Sequence, residues 1–317
     1  MSVRVRLLIA VLGAVVVGAV LARGGEGRPL PRAAACPVFP ASSQWNRPVD
    51  GLPVHPRSDA MVRAIGRSAN AHADFGSGLW DGGPIGIPYV VVGRNQPRVP
   101  VGFDYADESD RGRYPIPRRA PIEGGRRADG DRHVIVVDRA RCVLHELYAA
   151  YPVDGGKRWR AGSGARWDLR SNRLRPRGWT SADAAGLPIL PGLARYDEIR
   201  RGRIDHALRI TVPRTRRAFI YPARHFASNP TDRNLPAMGQ RVRLKRGFDV
   251  SGYPLQARVV LRALKQYGAL VADNGSAWYV SGAPSPRWSN DDLHSLHRVR
   301  GSDFEVVDTA GLLRPRR

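Results

Sequence analysis

The residues of this chain best suited to chemistry are carboxylates and histidines set in apolar or glycine-rich runs. The run Gly178–Leu193, GWTSADAAGLPILPGL, holds Asp183 among small residues, with Trp179 ahead of it. Ser181 is placed to cap a short helical turn. The positive end of such a turn lowers a carboxyl pKa, which makes Asp183 either an ionised nucleophile, base or ligand, or only a capping group. In PIEGGRRADGDRH, Glu123 precedes Gly124-Gly125, and Asp131 and His133 stand two apart at the head of a strand. Alternation puts that pair on one face within hydrogen-bonding reach, as a general base or metal ligand would require. An ordinary Asp-Gly turn explains Asp131 equally well.

Asp205 and His206 are adjacent in RIDHALRITV, so on a strand they face opposite ways and one of them meets a core or a pocket. In YPARHFAS, Arg224 is a natural clamp for a carboxylate and His225 beside it can move a proton; a plain surface loop is the alternative. LVADNGSAWYVSG places Asp273 in an Asp-Asn-Gly hairpin turn directly before Trp278 and Tyr279. An acid next to aromatic rings also suits sugar stacking and acid chemistry.

No GxSxG elbow, HExxH helix or phosphate-binding loop is present, and no cofactor is expected. Trp80, Trp159, Trp167, Trp179, Trp278 and Trp288 mostly neighbour Gly, Ser, Arg or Asp, in the manner of a carbohydrate cleft. Cleavage of a glycosidic bond is therefore the leading expectation. It needs two carboxyls about 5–5.5 Å apart for retention or about 6.5–9.5 Å for inversion. Asp183 is expected as the ionised member, with Asp205 or Glu123 as the acid. On a uronate polymer a lyase is the variant, with His133, His206 or His225 removing the C5 proton and Arg224 neutralising the carboxylate. The competing readings are a non-catalytic polysaccharide-binding or wall-binding protein, and a divalent-metal hydrolase using His133, His206 or His225 with Asp131.

The formal charge is +23. It is carried almost wholly by arginines scattered from end to end, not by a stripe interleaved with aromatics, so nucleic acid is not the expected partner. A solvated basic surface and attraction to an anionic extracellular polysaccharide both remain open.

The elements that must position these groups are mostly short strands between Gly/Pro turns. They are 87–92, 133–138, 142–151, 206–212, 218–223, 241–245, 270–274 and 277–282. Helices are predicted over 58–71, starting on a Ser58 cap, and over 254–268, stopping at Gly268. The expected fold is mainly β: a single β-sandwich or jelly-roll-like domain over 45–308, with loop insertions and about two covering helices. Ahead of it, 23–44 is Pro/Gly/Ala-rich and reads as a linker or arm; 309–317 reads as a disordered tail. Arg4 and Arg6 precede the apolar run Leu7–Ala22, the layout of a signal peptide or an amino-terminal membrane anchor. Either sends the remaining chain out of the cytoplasm, with membrane contact only through that segment. Cys36 and Cys142 are the only cysteines, and in an exported chain such a pair is expected as a disulfide.

The motifs GWTSADAAGLPILPGL, IDHALR, PARHFAS and ADNGSAWY, within a longer run from Asp107 to Asp308, resemble a family of exported bacterial proteins found mainly in actinobacteria. The resemblance implies export and work on an extracellular polymer. It brings no catalytic residues with it.

Overall fold

The computed structural model describes residues 27–312. The expected export segment, 1–22, and residues 313–317 of the expected tail lie outside the described residues. The protein is mainly β, a sandwich-like single domain with several sheets and few helices. Among the described residues no helix is long and apolar enough to cross a membrane.

The middle layer is a four-stranded sheet in the order Ser163–Asp168, Val143–Tyr148, Val134–Asp138, Tyr89–Val92. Successive side chains on a strand point to opposite faces. In VIVVD that alternation sends Ile135 and Val137 into the main core and Val134 and Val136 into a second, smaller one. Burial on both faces accounts for the unbroken apolar run. The second core is closed by the sheet Arg113–Tyr114, Val99–Phe103, Arg158–Ala161, Tyr151–Val153. The main core is closed by a six-stranded sheet in the order His72–Asp74, Tyr279–Ser281, Leu208–Val212, Ala269–Asn274, Arg241–Leu244, Phe304–Val306. Parallel and antiparallel pairs are mixed in all three sheets.

Both predicted helices form, as Ser58–Gly66 and Leu255–Gln266. The second buries Val259, Val260, Leu261 and Leu264 and packs on the strand Arg241–Leu244. It ends where Gly268 takes a φ of 64°, because a Cβ there would meet the Val242 carbonyl oxygen at 2.2 Å. Ser58 is the first helical residue and not the cap; its hydroxyl accepts from the Val306 amide, tying the helix to an edge strand. Two further expectations are corrected. Residues 218–223 form no strand, only an isolated bridge from Phe219 to Met238. Asp273-Asn274-Gly275 does not turn a hairpin, since Leu208–Val212 lies between Ala269–Asn274 and Tyr279–Ser281 and pairs with both.

The segment 27–44 is an arm laid on the domain, with Leu30, Cys36, Val38 and Phe39 buried in the main core. Cys36 is bonded to Cys142 across a separation of 106 residues. Closing so long a loop restricts the unfolded chain, an effect of about 2–4 kcal/mol. The variant Cys36→Ser with Cys142→Ser is expected to fold but to lose about that much in urea denaturation; an unchanged midpoint would show the arm held by packing alone. At the other end, Ala310–Leu312 forms a short turn that buries Leu312 against Val49 and Val307.

Candidate functional site

The loop Gly178–Leu193 is a wedge between the middle sheet and the six-stranded sheet. From Ser181 to Leu193 every residue but Ala184 is buried, so its backbone polar groups need partners inside the protein. The middle layer supplies several. Ser163 Oγ donates to the Ser181 carbonyl, His133 Nε2 to the Ala182 carbonyl at 2.8 Å, and the Glu146 carboxylate accepts from the Ile189 and Leu190 amides. The six-stranded sheet supplies others, as Ala185 N donates to the Ala272 carbonyl. Ser181 does not cap a helix here. Its Oγ accepts from the Asp183 amide at 2.9 Å and reaches the Leu187 carbonyl, a local turn that aims Asp183 at the second sheet.

There Asp183 meets Arg209, buried on Leu208–Val212. Arg209 Nε and Nη2 donate to the two Asp183 oxygens at 3.1 and 3.0 Å, Nη1 donates to Ser281 Oγ, and Nη2 also reaches Asp273 Oδ2 at 3.3 Å. One guanidinium therefore organises two carboxyls from different elements. Burial pushes the Asp183 carboxyl above its ordinary range, opposed by Arg209. This reverses the expected lowering, because no helix starts at Ser181 and burial dominates at Asp183. Asp273 is pushed up to about 6, first by burial and then by the Asp183 charge, with Arg209 pulling the other way.

A cavity of about 400 Å³ opens over this cluster, lined among others by Tyr105, Glu108, Asp131, Tyr148, Asp183, His225 and Asp273, with no arginine or lysine among the described residues that line it. Of the sequence-based candidates, Asp183, Asp273, His225 and Asp131 thus share one space. His225 Nδ1 donates to the Ala184 carbonyl at 2.8 Å, which leaves the Nε2 lone pair available. Glu108 is held by the Thr180 amide at 2.8 Å.

The others are placed elsewhere. Asp205 pairs with Arg28 of the arm and with Arg203, away from the cavity. His206 is buried with Nε2 on Glu198 and Nδ1 on the Ala207 carbonyl, so both its nitrogens serve the packing. Arg224 spends Nε on the Arg175 carbonyl. Trp179 packs beside the Arg175 guanidinium, and Trp278 is buried, stacked on Phe304 with Nε1 donating to the Gly66 carbonyl, so neither is a platform in the cavity. Tyr279 stacks on His72 in a second cavity.

His133 is corrected most fully. Its partner is Glu123, at 2.5 Å from Nδ1, instead of Asp131, and Nε2 is taken by Ala182. A ring with both nitrogens donating is an imidazolium, unable to bind a metal or accept a proton. Burial opposes the charge, but Glu123 outweighs it and raises His133 to about 9. Among the described residues no group of three or more His, Cys, Asp or Glu is arranged to hold a metal ion. Because the folded pKa lies above the unfolded one near ~6.5, the pair's stabilisation is complete below that value and is lost as pH rises through about 9. Denaturant midpoints between pH 7 and pH 10 are expected to fall by the equivalent of about 2–3 kcal/mol. In His133→Gln this part of the fall should vanish; the same alkaline slope in both proteins would refute the assignment.

Arg209, Glu146, Tyr105 and Tyr148 were not singled out from the sequence. Arg209 and Glu146 had a usable signal, a charge inside an apolar strand, which has to be paired if buried. The tyrosines had none. No protein-family model matches this chain, and comparison with curated proteins and with solved structures finds no match.

Proposed function

We propose that this protein is an exported carbohydrate-active enzyme that hydrolyses glycosidic bonds of an extracellular or cell-wall polysaccharide in the acidic cavity. The observation that carries the proposal is Asp273, a carboxyl raised to about 6, in the same space as the exposed carboxyl Asp131 and flanked by Tyr105 and Tyr148. One carboxyl that holds its proton well above the ordinary carboxylate range, beside others, is the arrangement acid-assisted glycoside cleavage needs. Asp273 donates its proton to the departing glycosidic oxygen, and Asp131 assists at the anomeric carbon, through water or directly. Asp183 and Arg209 are positioning residues: Arg209 holds Asp273 and stays bonded to Asp183.

The lining also speaks to the substrate. With several carboxyls and no arginine or lysine among the described lining residues, the cavity favours a neutral or amino-bearing sugar over a uronate, whatever the charge of the outer surface. That weighs against the lyase variant. Export is supported by the amino-terminal layout, by the resemblance to exported actinobacterial proteins and by the disulfide, which suits an oxidising compartment. The test is a panel of neutral, amino-bearing and uronate polysaccharides assayed for new reducing ends and for unsaturated products. Reducing ends from a neutral or amino-bearing polymer are expected. Unsaturated ends from a uronate, or no turnover on any polymer, would overturn the proposal.

A further inference from the structure

A second cavity, of about 600 Å³, is lined among others by His72, Asp74, Glu123, His294, His297 and Trp80, with Tyr279, also in its lining, stacked on His72. It neighbours the first. Glu123 belongs to its lining, while the bonded partner His133 reaches Ala182 in the lining of the other. Burial, and then the charges of Glu123 and Asp131, raise the Asp74 carboxyl, so the acids of the two cavities sense one another.

Trp80 is the unusual group. Of the seven tryptophans, Trp45, Trp159, Trp167, Trp278 and Trp288 are buried and Trp179 is half-buried, whereas Trp80 is 80% exposed. Leu79 beside it is 69% exposed. A stable fold gains nothing from holding an indole in water, so such a side chain marks a contact surface. Trp80 is mounted on a short hairpin. The strands Leu79–Trp80 and Gly83–Pro84 are joined by Asp81-Gly82, with φ of 49° and 78°, the positive values of a tight two-residue hairpin. The hairpin is docked by Gly83, whose Cβ, if present, would lie 2.0 Å from the Gly124 carbonyl oxygen. Gly124 and Gly125 both have positive φ. The EGG motif thus does two things at once: its acid enters the cavity wall, and its glycines seat the hairpin that carries the indole.

We infer that the second cavity is an accessory sugar subsite, in which Trp80 stacks on a pyranose ring and Asp74 and Glu123 bond its hydroxyls, so that one polysaccharide chain occupies both cavities. Stacking on a flat aromatic face with a few convergent polar groups is what pyranose recognition requires. The inference rests on the function proposed above, with the neutral or amino-bearing polymer as occupant.

The experiment measures binding of β-1,4-glucan, β-1,4-mannan, α-1,4-glucan and chitosan di- and hexasaccharides to the full chain by titration calorimetry, together with hydrolysis of the same oligomers. A hexasaccharide that binds is expected to lose at least tenfold in affinity in Trp80→Ala and to keep most of it in Trp80→Phe, while the disaccharide is unaffected. Gly83→Val, which forces the hairpin off Gly124, should copy Trp80→Ala. Trp80-dependent binding without cleavage would keep this subsite and sink the catalytic reading. Cleavage with unchanged hexasaccharide affinity in Trp80→Ala would do the reverse. Binding of no oligomer overturns the subsite, and so does a dimer in sedimentation that Trp80→Ala converts to monomer.

Discussion

Asp273→Asn is expected to lower kcat by about 10²–10⁴-fold, the usual worth of a positioned general acid, while leaving the protein folded. Two further readouts separate this from indirect damage. A proton donor titrating near 6 makes wild-type activity decline as pH rises through about 6, and the amide variant should lack that limb. In Asp273→Asn, stability should move in the opposite direction to activity. The folded pKa of Asp273 lies above the unfolded value, so folding favours the protonated form; that contribution is present at low pH and is lost as pH rises through about 6. At pH 8 the ionised Asp273 is a cost to the fold, and removing the charge should stabilise the protein by about 1 kcal/mol or more. Full turnover in Asp273→Asn would end the assignment of this carboxyl as the acid.

Arg209→Leu is expected to be the most damaging single substitution at the site, at about 3–5 kcal/mol, because it strands the fully buried Asp183 carboxyl without its counter-charge. For a chain of this size that is a fall in melting temperature on the order of 10 °C. The reason is the unpaired acid, not lost packing, and the double variant shows it. Arg209→Leu with Asp183→Leu should recover a substantial part of the loss, since a pair replaced by apolar groups is far less costly than a pair broken. If the double variant is no more stable than the single one, the pair is not what holds the wedge in place.

Much of the fold was legible because its signals are local. The predicted strands at 133–138, 206–212, 241–245 and 270–274 and both helices are recovered with ends shifted by a few residues or trimmed, since apolar patterning reports burial and Gly268 reports a left-handed stop. The pairing of strands was not. The Asp273-Asn274-Gly275 signal is a sound turn, but nothing local shows that Leu208–Val212 will lie between the flanking strands.

The site divides along the same line. Asp183, Asp273, His225 and Asp131 were recognisable as reactive types, and the fold brings them together from separate segments. Their roles depended on partners distant in sequence. Asp183 was read from a neighbouring serine, when burial between two sheets and the opposing charge of Arg209 set its state. His133 was assigned to Asp131 two residues away, when Glu123 ten residues back binds it. Asp205 and His206 looked equally reactive and are held by Arg28 and Glu198.

The buried stretch Ser181–Leu193 of the wedge loop hydrogen-bonds to both the sheets it separates. Neither sheet can pull away without stripping amides and carbonyls that water does not reach in the native state. The loop therefore acts as a rivet that makes the two layers one cooperative unit. Its own amides belong with the slowest-exchanging in the molecule, so the most loop-like stretch of the sequence opens only when the whole domain does.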